Sequence, residues 1–284
     1  MNIYIGKTAG FCNGVKTAVD KAKEIVQKNE KVYCLGEIVH NRQVVEKLEN
    51  NGMIIVNDIE EVPDGETVIF RAHGEAKKIY ERAKEKKLQV VDTTCGKVKA
   101  IHIKVEKEKE NSFIILIGKK KHPETIGTIG FAGENCFVVE SEDDILDAYM
   151  EYEKTNLGRV FIVSQTTFSS KLFDEIIKQI EINFIEADVI VDKTICDTTE
   201  IRQAETSKMA KEYHYMFVIG GKNSSNTKEL VKIAQENCEN VYSIETVEEI
   251  KNIKFDLDKN AGIIAGASTP QESILEVKRY LEGV

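Results

Sequence analysis

Three of the six cysteines in this chain of 284 residues stand where metal chemistry is readily built. Cys12, Cys95 and Cys196 each follow a short apolar segment (Ile3-Tyr4-Ile5, Val90-Val91 and Val189-Ile190-Val191) and precede a helical pattern. Thiolates in such loops suit zinc or iron. A structural zinc site normally closes four positions with ligands in close pairs, and no C-x-x-C pair occurs here. Iron–sulfur cubanes commonly take four cysteines, so three would leave one iron open. An open iron suits Lewis-acid activation of a substrate oxygen together with electron delivery. Cys34, inside an apolar run, and Cys136 and Cys238, just before apolar runs, read as structural.

The three cysteines also mark a repeat. Gly36, Gly118 and Gly220 follow them by 24, 23 and 24 residues, each closing a second apolar segment. Four residues beyond these glycines lie His40, His122 and Ser224, and three residues beyond the fourth apolar segments lie His73, Thr166 and Ser268. Two sets of polar groups thus accompany the sulfurs. Ser224-Ser225-Asn226 opens a helical pattern, where free N–H groups and the helix dipole favour an anion, although ordinary N-caps use the same residues. Glu124, after His122-Pro123, is a candidate proton donor if it lies away from water, or a helix cap. His102 and His214 match no functional position of the repeat and read as structural or without a role.

The elements that must carry these groups are strands alternating with helices. In each repeat the further strands are Val32–Leu35, Met53–Val56 and Val68–Phe70, then Ile114–Ile117, Phe137–Val139 and Val160–Val163, then Phe217–Ile219, Val241–Ile244 and Gly262–Ala265. Acidic stretches at 58–61, 142–147 and 245–249 suggest short helices. Strands separated by helices imply mainly parallel sheets, with functional groups at the carboxyl ends of the strands. The expected fold is therefore α/β: three similar modules, residues 1–92, 93–190 and 191–284, around a pseudo-threefold axis with a central cavity.

Composition narrows the class. A net charge of −9 disfavours non-specific nucleic-acid binding, which needs clustered positive charge. With 42% hydrophobic and 31% charged residues, no apolar run of transmembrane length and no secretory pattern at the start, the chain reads as a cytoplasmic globular protein without a membrane partner.

An ordered set of motifs spans nearly the whole chain. It comprises Gly10–Val15, Val39-His40-Asn41, Arg71-Ala72-His73-Gly74, Asp92-Thr93-Thr94-Cys95, His122-Pro123-Glu124, Gln165-Thr166-Thr167, Cys196–Thr199 with Arg202-Gln203, Asn223–Asn226 and Ala265–Ser268. This set resembles the 4-hydroxy-3-methylbut-2-enyl diphosphate reductases, which close the non-mevalonate isoprenoid pathway. The resemblance implies one [4Fe–4S] cluster held by Cys12, Cys95 and Cys196 with one open iron. It implies an allylic diphosphate substrate held by His40, His73, His122, Thr166, Thr167, Ser224, Ser225, Asn226 and Ser268, and catalytic roles for Glu124, His122 and Thr166. The implied reaction removes a hydroxyl as water with two electrons and two protons, giving isopentenyl and dimethylallyl diphosphates. A ferredoxin- or flavodoxin-type protein would supply the electrons. The alternatives are an iron–sulfur dehydratase, a non-catalytic cluster protein and a zinc protein. The chain departs from the family at Gly96-Lys97, where proline and an apolar residue are usual, which suggests a looser helix start after Cys95.

Overall fold

Every apolar segment assigned above to a strand forms one in the computed structural model, which describes residues 1–29 and 31–283. In chain order these are β1 (Asn2–Ile5), α1 (Asn13–Lys28), β2 (Val32–Leu35), α2 (Arg42–Glu49), β3 (Met53–Val56), β4 (Thr67–Phe70), α3 (Lys77–Glu85) and β5 (Gln89–Asp92). Next come α4 (Gly96–Glu108), β6 (Phe113–Ile117), α5 (Pro123–Ala132), β7 (Cys136–Val139), α6 (Ile145–Glu153), β8 (Arg159–Ser164), α7 (Ser170–Asn183) and β9 (Asp188–Val191). The last are α8 (Asp197–Glu212), β10 (Tyr215–Ile219), α9 (Ser225–Gln235), β11 (Asn240–Ile244), β12 (Asn260–Ala265) and α10 (Gln271–Glu282). None of the described helices is long and apolar enough to cross a membrane.

The strands form three four-stranded sheets, ordered β3-β2-β4-β5, β7-β6-β8-β9 and β11-β10-β12-β1, with every pairing parallel. The three orders are the same pattern. β1 lies in segment 1–92 by sequence but pairs with β12, Ile3 opposite Ala261 and Ile5 opposite Ile263. Each cysteine therefore follows the edge strand of one sheet: β5 before Cys95, β9 before Cys196 and β1 before Cys12.

The chain divides into two units, each containing whole sheets. The first comprises residues 1–19, 39–50 and 197–284; the second comprises residues 20–38 and 51–196. Alternation along a strand decides what each sheet face buries. In the second unit Phe113, Ile115 and Ile117 of β6 pack with Phe173, Ile176 and Ile180 of α7. Their neighbours Ile114 and Leu116 pack with Ile101 and Val105 of α4 on the opposite face. In the first unit Phe217 and Ile219 of β10 pack with Ile274 and Val277 of α10, while Met216 and Val218 meet Met209 of α8. Central strands are covered on both sides and so read as continuous apolar runs.

The repeat recurs in local bonding. The N–H groups of Gly36, Gly118 and Gly220 donate to the last carbonyls of β3, β7 and β11, at 2.8, 3.0 and 2.9 Å. The acidic stretches are 3-10 turns closed by the reciprocal pairs Asp58/Glu61, Ser141/Asp144 and Thr246/Glu249. Such capping boxes satisfy the free donors of a short helix start.

Candidate active site

Each of the three cysteines is pinned by its backbone to a loop beyond a neighbouring strand. The N–H of Cys95 donates to Ala72 O at 3.0 Å, beside His73; that of Cys196 to Thr166 O at 3.0 Å; and that of Cys12 to Ala267 O at 3.2 Å, beside Ser268. The sequence repeat singled out His73, Thr166 and Ser268, and each is now the neighbour of one sulfur-bearing loop. All three cysteines are half-buried and stand at helix starts. The Val15 N–H also reaches Cys12 Sγ at 3.5 Å. The other cysteines differ chemically. Burial pushes the thiols of Cys34 and Cys136 up to about 12, and Cys238 Sγ donates to the carbonyls of Tyr213 and His214.

In the second unit, α5 delivers a carboxyl and an imidazole together. His122 is the N-cap of α5, and its Nδ1 accepts from the Glu124 N–H at 3.2 Å. An accepting Nδ1 in a neutral ring puts the proton on Nε2, which leaves that nitrogen a donor. Pro123 occupies the first helical turn, where its missing N–H costs nothing. Glu124 is 2% exposed, and Thr166 grips it twice: N–H to Oε1 at 2.6 Å and Oγ1 to Oε2 at 2.7 Å. Burial pushes its carboxyl up to about 7, because the two Thr166 donors only partly offset the loss of water. Of the two sequence alternatives for Glu124, proton donor or helix cap, the side-chain bonding favours the first: its side chain bonds across to Thr166. His73 and His122 meet edge to face, centroids 5.4 Å apart. Thr167 Oγ1 accepts from Gln165 Nε2 at 2.7 Å, and Gln165 Oε1 accepts from Lys119 N–H at 3.0 Å, tying the β8 loop to the β6 loop.

The first unit carries the polar groups suited to an anion. Ser224 is the N-cap of α9, its Oγ accepting from the Thr227 N–H at 3.2 Å. The N–H groups of Ser225 and Asn226 then lie in the first turn, where an α-helix offers them no partner of its own. Asn226 is 5% exposed, and its Nδ2 has no hydrogen-bond partner among the described residues. A buried unpaired donor is expensive unless a ligand completes it. Ser268 Oγ donates to His40 O at 3.1 Å, and Gly221 lies against the same carbonyl: a Cβ there would sit 2.3 Å from it. Asn41 caps α2 by accepting from the Val44 N–H, so His40 immediately precedes a fixed helix start.

Sequence reading missed the parts that place these groups. Gly127 and Gly130 of α5 let the loop after His73 lie directly on the helix; a Cβ on Gly130 would be 2.4 Å from Ala76 Cβ and 2.8 Å from its Cα. The i, i+3 spacing of two glycines on a helix was the available signal. Arg71 Nε bonds Glu75 Oε1 at 2.9 Å across the same loop, and burial raises the Glu75 carboxyl against the opposing Arg71 charge. His102 is structural, as read: it stacks on Phe131 at 4.4 Å, and burial lowers it to about 4. The Gly96 departure also has a mild outcome. Cys95 N–H and O both bond, to Ala72 O and Lys99 N–H, so the helix start is ordinary rather than loose.

A family model described as LytB protein matches residues 3–282. The 4-hydroxy-3-methylbut-2-enyl diphosphate reductase of Clostridioides difficile (strain 630) is 41% identical over 286 residues, covering 100% of both chains. The solved E-1-hydroxy-2-methyl-but-2-enyl-4-diphosphate reductase from Plasmodium falciparum matches with a TM-score of 0.85 and 33% identity, over 99% of this chain and 87% of that one. A solved (E)-4-hydroxy-3-methyl-but-2-enyl diphosphate reductase, described as the terminal enzyme of the non-mevalonate pathway, matches with a TM-score of 0.71 and 40% identity over 100% of both chains. A full-length match at this identity leaves one assignment: the chain belongs to the LytB protein family.

Proposed function

We propose that the chain is a 4-hydroxy-3-methylbut-2-enyl diphosphate reductase, converting its allylic substrate to isopentenyl and dimethylallyl diphosphates. The observation that carries the reading is the buried Glu124 carboxyl, poised near pH 7 and gripped by Thr166, in a chain whose full-length relatives bear that name. The C4–O bond breaks, two electrons and one proton are taken up at carbon, and a second proton leaves with the hydroxyl as water.

Cys12, Cys95 and Cys196 would hold a [4Fe–4S] cluster. Three thiols at helix starts, none of them buried like Cys34, fit the soft-ligand requirement of such a cluster. When bound, that group supplies the electrons and an open iron for the substrate hydroxyl. Everything else falls to side chains. Hydroxide is a poor leaving group, so Glu124 in its protonated form delivers a proton through the Thr166 hydroxyl. His122, with its proton on Nε2, would offer a donor to the substrate and is held by its capping bond to the Glu124 N–H. The diphosphate would be held by Ser225, Asn226 and the α9 N-terminus, with His40, His73, Ser224, Thr167 and Ser268 completing the donor set. Anchoring both ends of a short substrate fixes the reacting carbon–oxygen bond and removes much of the entropic barrier.

A ferredoxin- or flavodoxin-type electron donor and a cytoplasmic location belong to the same proposal. Six cysteines, none in a disulfide among the described residues, accord with a reducing compartment. Anaerobically reconstituted protein, assayed with substrate and a low-potential reductant, should consume two electrons per product diphosphate. Water removal without electron consumption would refute the reductase and favour a dehydratase. Iron and labile-sulfide analysis of the same sample excludes zinc if roughly four of each are found per chain, as a [4Fe–4S] centre requires.

A further inference from the structure

The loop that carries Cys12 is held by a pair of opposite charges on one face of α8. Arg202, 2% exposed, donates from Nη2 to Thr8 O at 2.5 Å and Gly10 O at 2.8 Å. Three residues on, and so on the same helical face, Glu205 accepts from Lys7 N–H at 2.8 Å, Thr8 N–H at 2.9 Å and Thr8 Oγ1 at 2.5 Å. The cation thus takes the carbonyls of the loop and the anion takes its amides. Gly6 lets the backbone lie flat against this face: a Cβ there would meet Ile264 Cδ1 at 2.7 Å and Glu205 Oε2 at 3.2 Å. Beyond the loop, Cys12 is tethered to the sheet by its own backbone bond to Ala267 O.

We propose that Arg202 and Glu205 are positioning residues for the Cys12 thiolate, setting how firmly and at what angle it holds the iron–sulfur cluster. The inference rests on the reading of Cys12 as a cluster ligand. A loop between an edge strand and a helix has few long-range restraints of its own, and loops are the usual site of local opening. Here five charge-assisted hydrogen bonds immobilise the five-residue stretch directly before the ligand. Groups that orient metal ligands in this way change metal affinity by roughly 10–100-fold when removed.

The test uses anaerobically reconstituted holoenzyme of the wild type, Glu205→Ala, Glu205→Gln, Arg202→Lys and Cys12→Ala, with Ile263→Val in β12 as a core control. Iron release to a chelator, the electron paramagnetic resonance spectrum of the reduced protein and the melting temperature are measured on each. Glu205→Ala should release iron on the order of tenfold faster, the lower end of that range, with a shifted spectrum. Glu205→Gln keeps one accepting oxygen and should fall between; being isosteric, it also keeps the test open if the alanine protein does not fold. Arg202→Lys keeps the charge but loses the planar guanidinium that sets one nitrogen, Nη2, between the two carbonyls, and should resemble Glu205→Gln. Ile263→Val should melt lower yet release iron at the wild-type rate. Cluster loss in Cys12→Ala combined with wild-type release and spectrum in Glu205→Ala and Glu205→Gln overturns the inference alone. Release in Ile263→Val as fast as in Glu205→Ala at equal melting temperature also overturns it. Full iron and sulfide in Cys12→Ala overturns the ligand reading and the inference with it.

Discussion

Glu124 should impose an alkaline limb on turnover near neutral pH, and Glu124→Gln should remove it. The carboxyl is pushed up from 4.5 to about 7 by burial, against the opposing pull of the Thr166 N–H and hydroxyl. Half the molecules then carry the donor proton at pH 7, and about a tenth at pH 8, since each unit above the pKa costs about tenfold in protonated fraction. Maximal turnover in wild type should therefore fall roughly tenfold per unit above pH 7.5, if proton delivery limits the rate. Stability carries the same sign. A raised folded-state value penalises the ionised form, so the stabilising contribution is fully present below pH 4.5 and lost as pH rises through about 7. That loss is on the order of 3 kcal/mol, at about 1.4 kcal/mol per unit. Glu124→Gln keeps the shape and both contacts to Thr166 but cannot ionise, so it should lose turnover by at least about 100-fold while becoming relatively more stable at pH 8 than at pH 5. The measurements are the pH dependence of kcat under saturating reductant and urea midpoints at the two pH values. A wild-type kcat flat to pH 8.5, or the same pH dependence of stability in both proteins, would refute a buried, titrating Glu124.

Asn226→Ala should raise KM about tenfold with little change in kcat, because a hydrogen bond to a charged group contributes roughly 1.5–3 kcal/mol; unchanged diphosphate binding by calorimetry would count against the α9 site. Gly130→Ala drives a Cβ to 2.4 Å from Ala76 Cβ, so the loop after His73 must move. Overpacking of this kind costs about 1–3 kcal/mol, and the change should appear in both melting temperature and KM; an unchanged KM would show that the loop is not tied to the substrate. Gly96→Pro should stabilise the protein by about 0.5–1 kcal/mol, since proline suits a first helical turn and restricts the unfolded chain. Nothing lies within 4 Å of a Cβ at Gly96, and Cys95 at φ −57° and ψ 138° already has the conformation a following proline demands. A lower melting temperature, or a loss of bound iron, would contradict it.

The sequence announced its strands but not how they pair. Central strands such as Ile114–Ile117 and Phe217–Ile219 are apolar at every residue because both faces are covered, and that is readable without a structure. Cys12, Cys95 and Cys196 were separable from the other three because strand ends are where a parallel sheet exposes side chains to chemistry. What the pattern does not encode is which strand pairs with which. β1-α1-β2 looks like any crossover unit, yet β1 hydrogen-bonds to β12, whose Asn260 stands opposite Asn2. Glu124 was ambiguous for the same reason: its partner Thr166 is 42 residues distant, and only the folded distance distinguishes a cap from a proton donor. Of the two aspects weighed for Ser224 the N-cap is seen directly, since its oxygen accepts from the Thr227 N–H, with the unpaired Asn226 amide two residues on.

The placement of β1 has a consequence for how the cysteines are held. Each sits after an edge strand, and edge strands leave one side of the backbone without a neighbour. β1, β5 and β9 are accordingly the more exposed strands, with exposed residues at Tyr4, Val90 and Val191, whereas β6 and β10 are buried throughout. A loop leaving an edge is anchored by the sheet on one side only, so its cysteine needs a second restraint. For Cys95 the helix that follows supplies it by packing on the next sheet along the chain: Ile101 and Val105 of α4 join the β6–β8 core. Cys95 is thus fixed by the sheet before it and by the helix after it. The loop before Cys12 takes the Arg202 and Glu205 contacts from α8 as well. The charged clamp acts on the loop before Cys12 rather than on the sheet beside it, which is why substitution at Glu205 should affect cluster retention more than an equally destabilising change in the core.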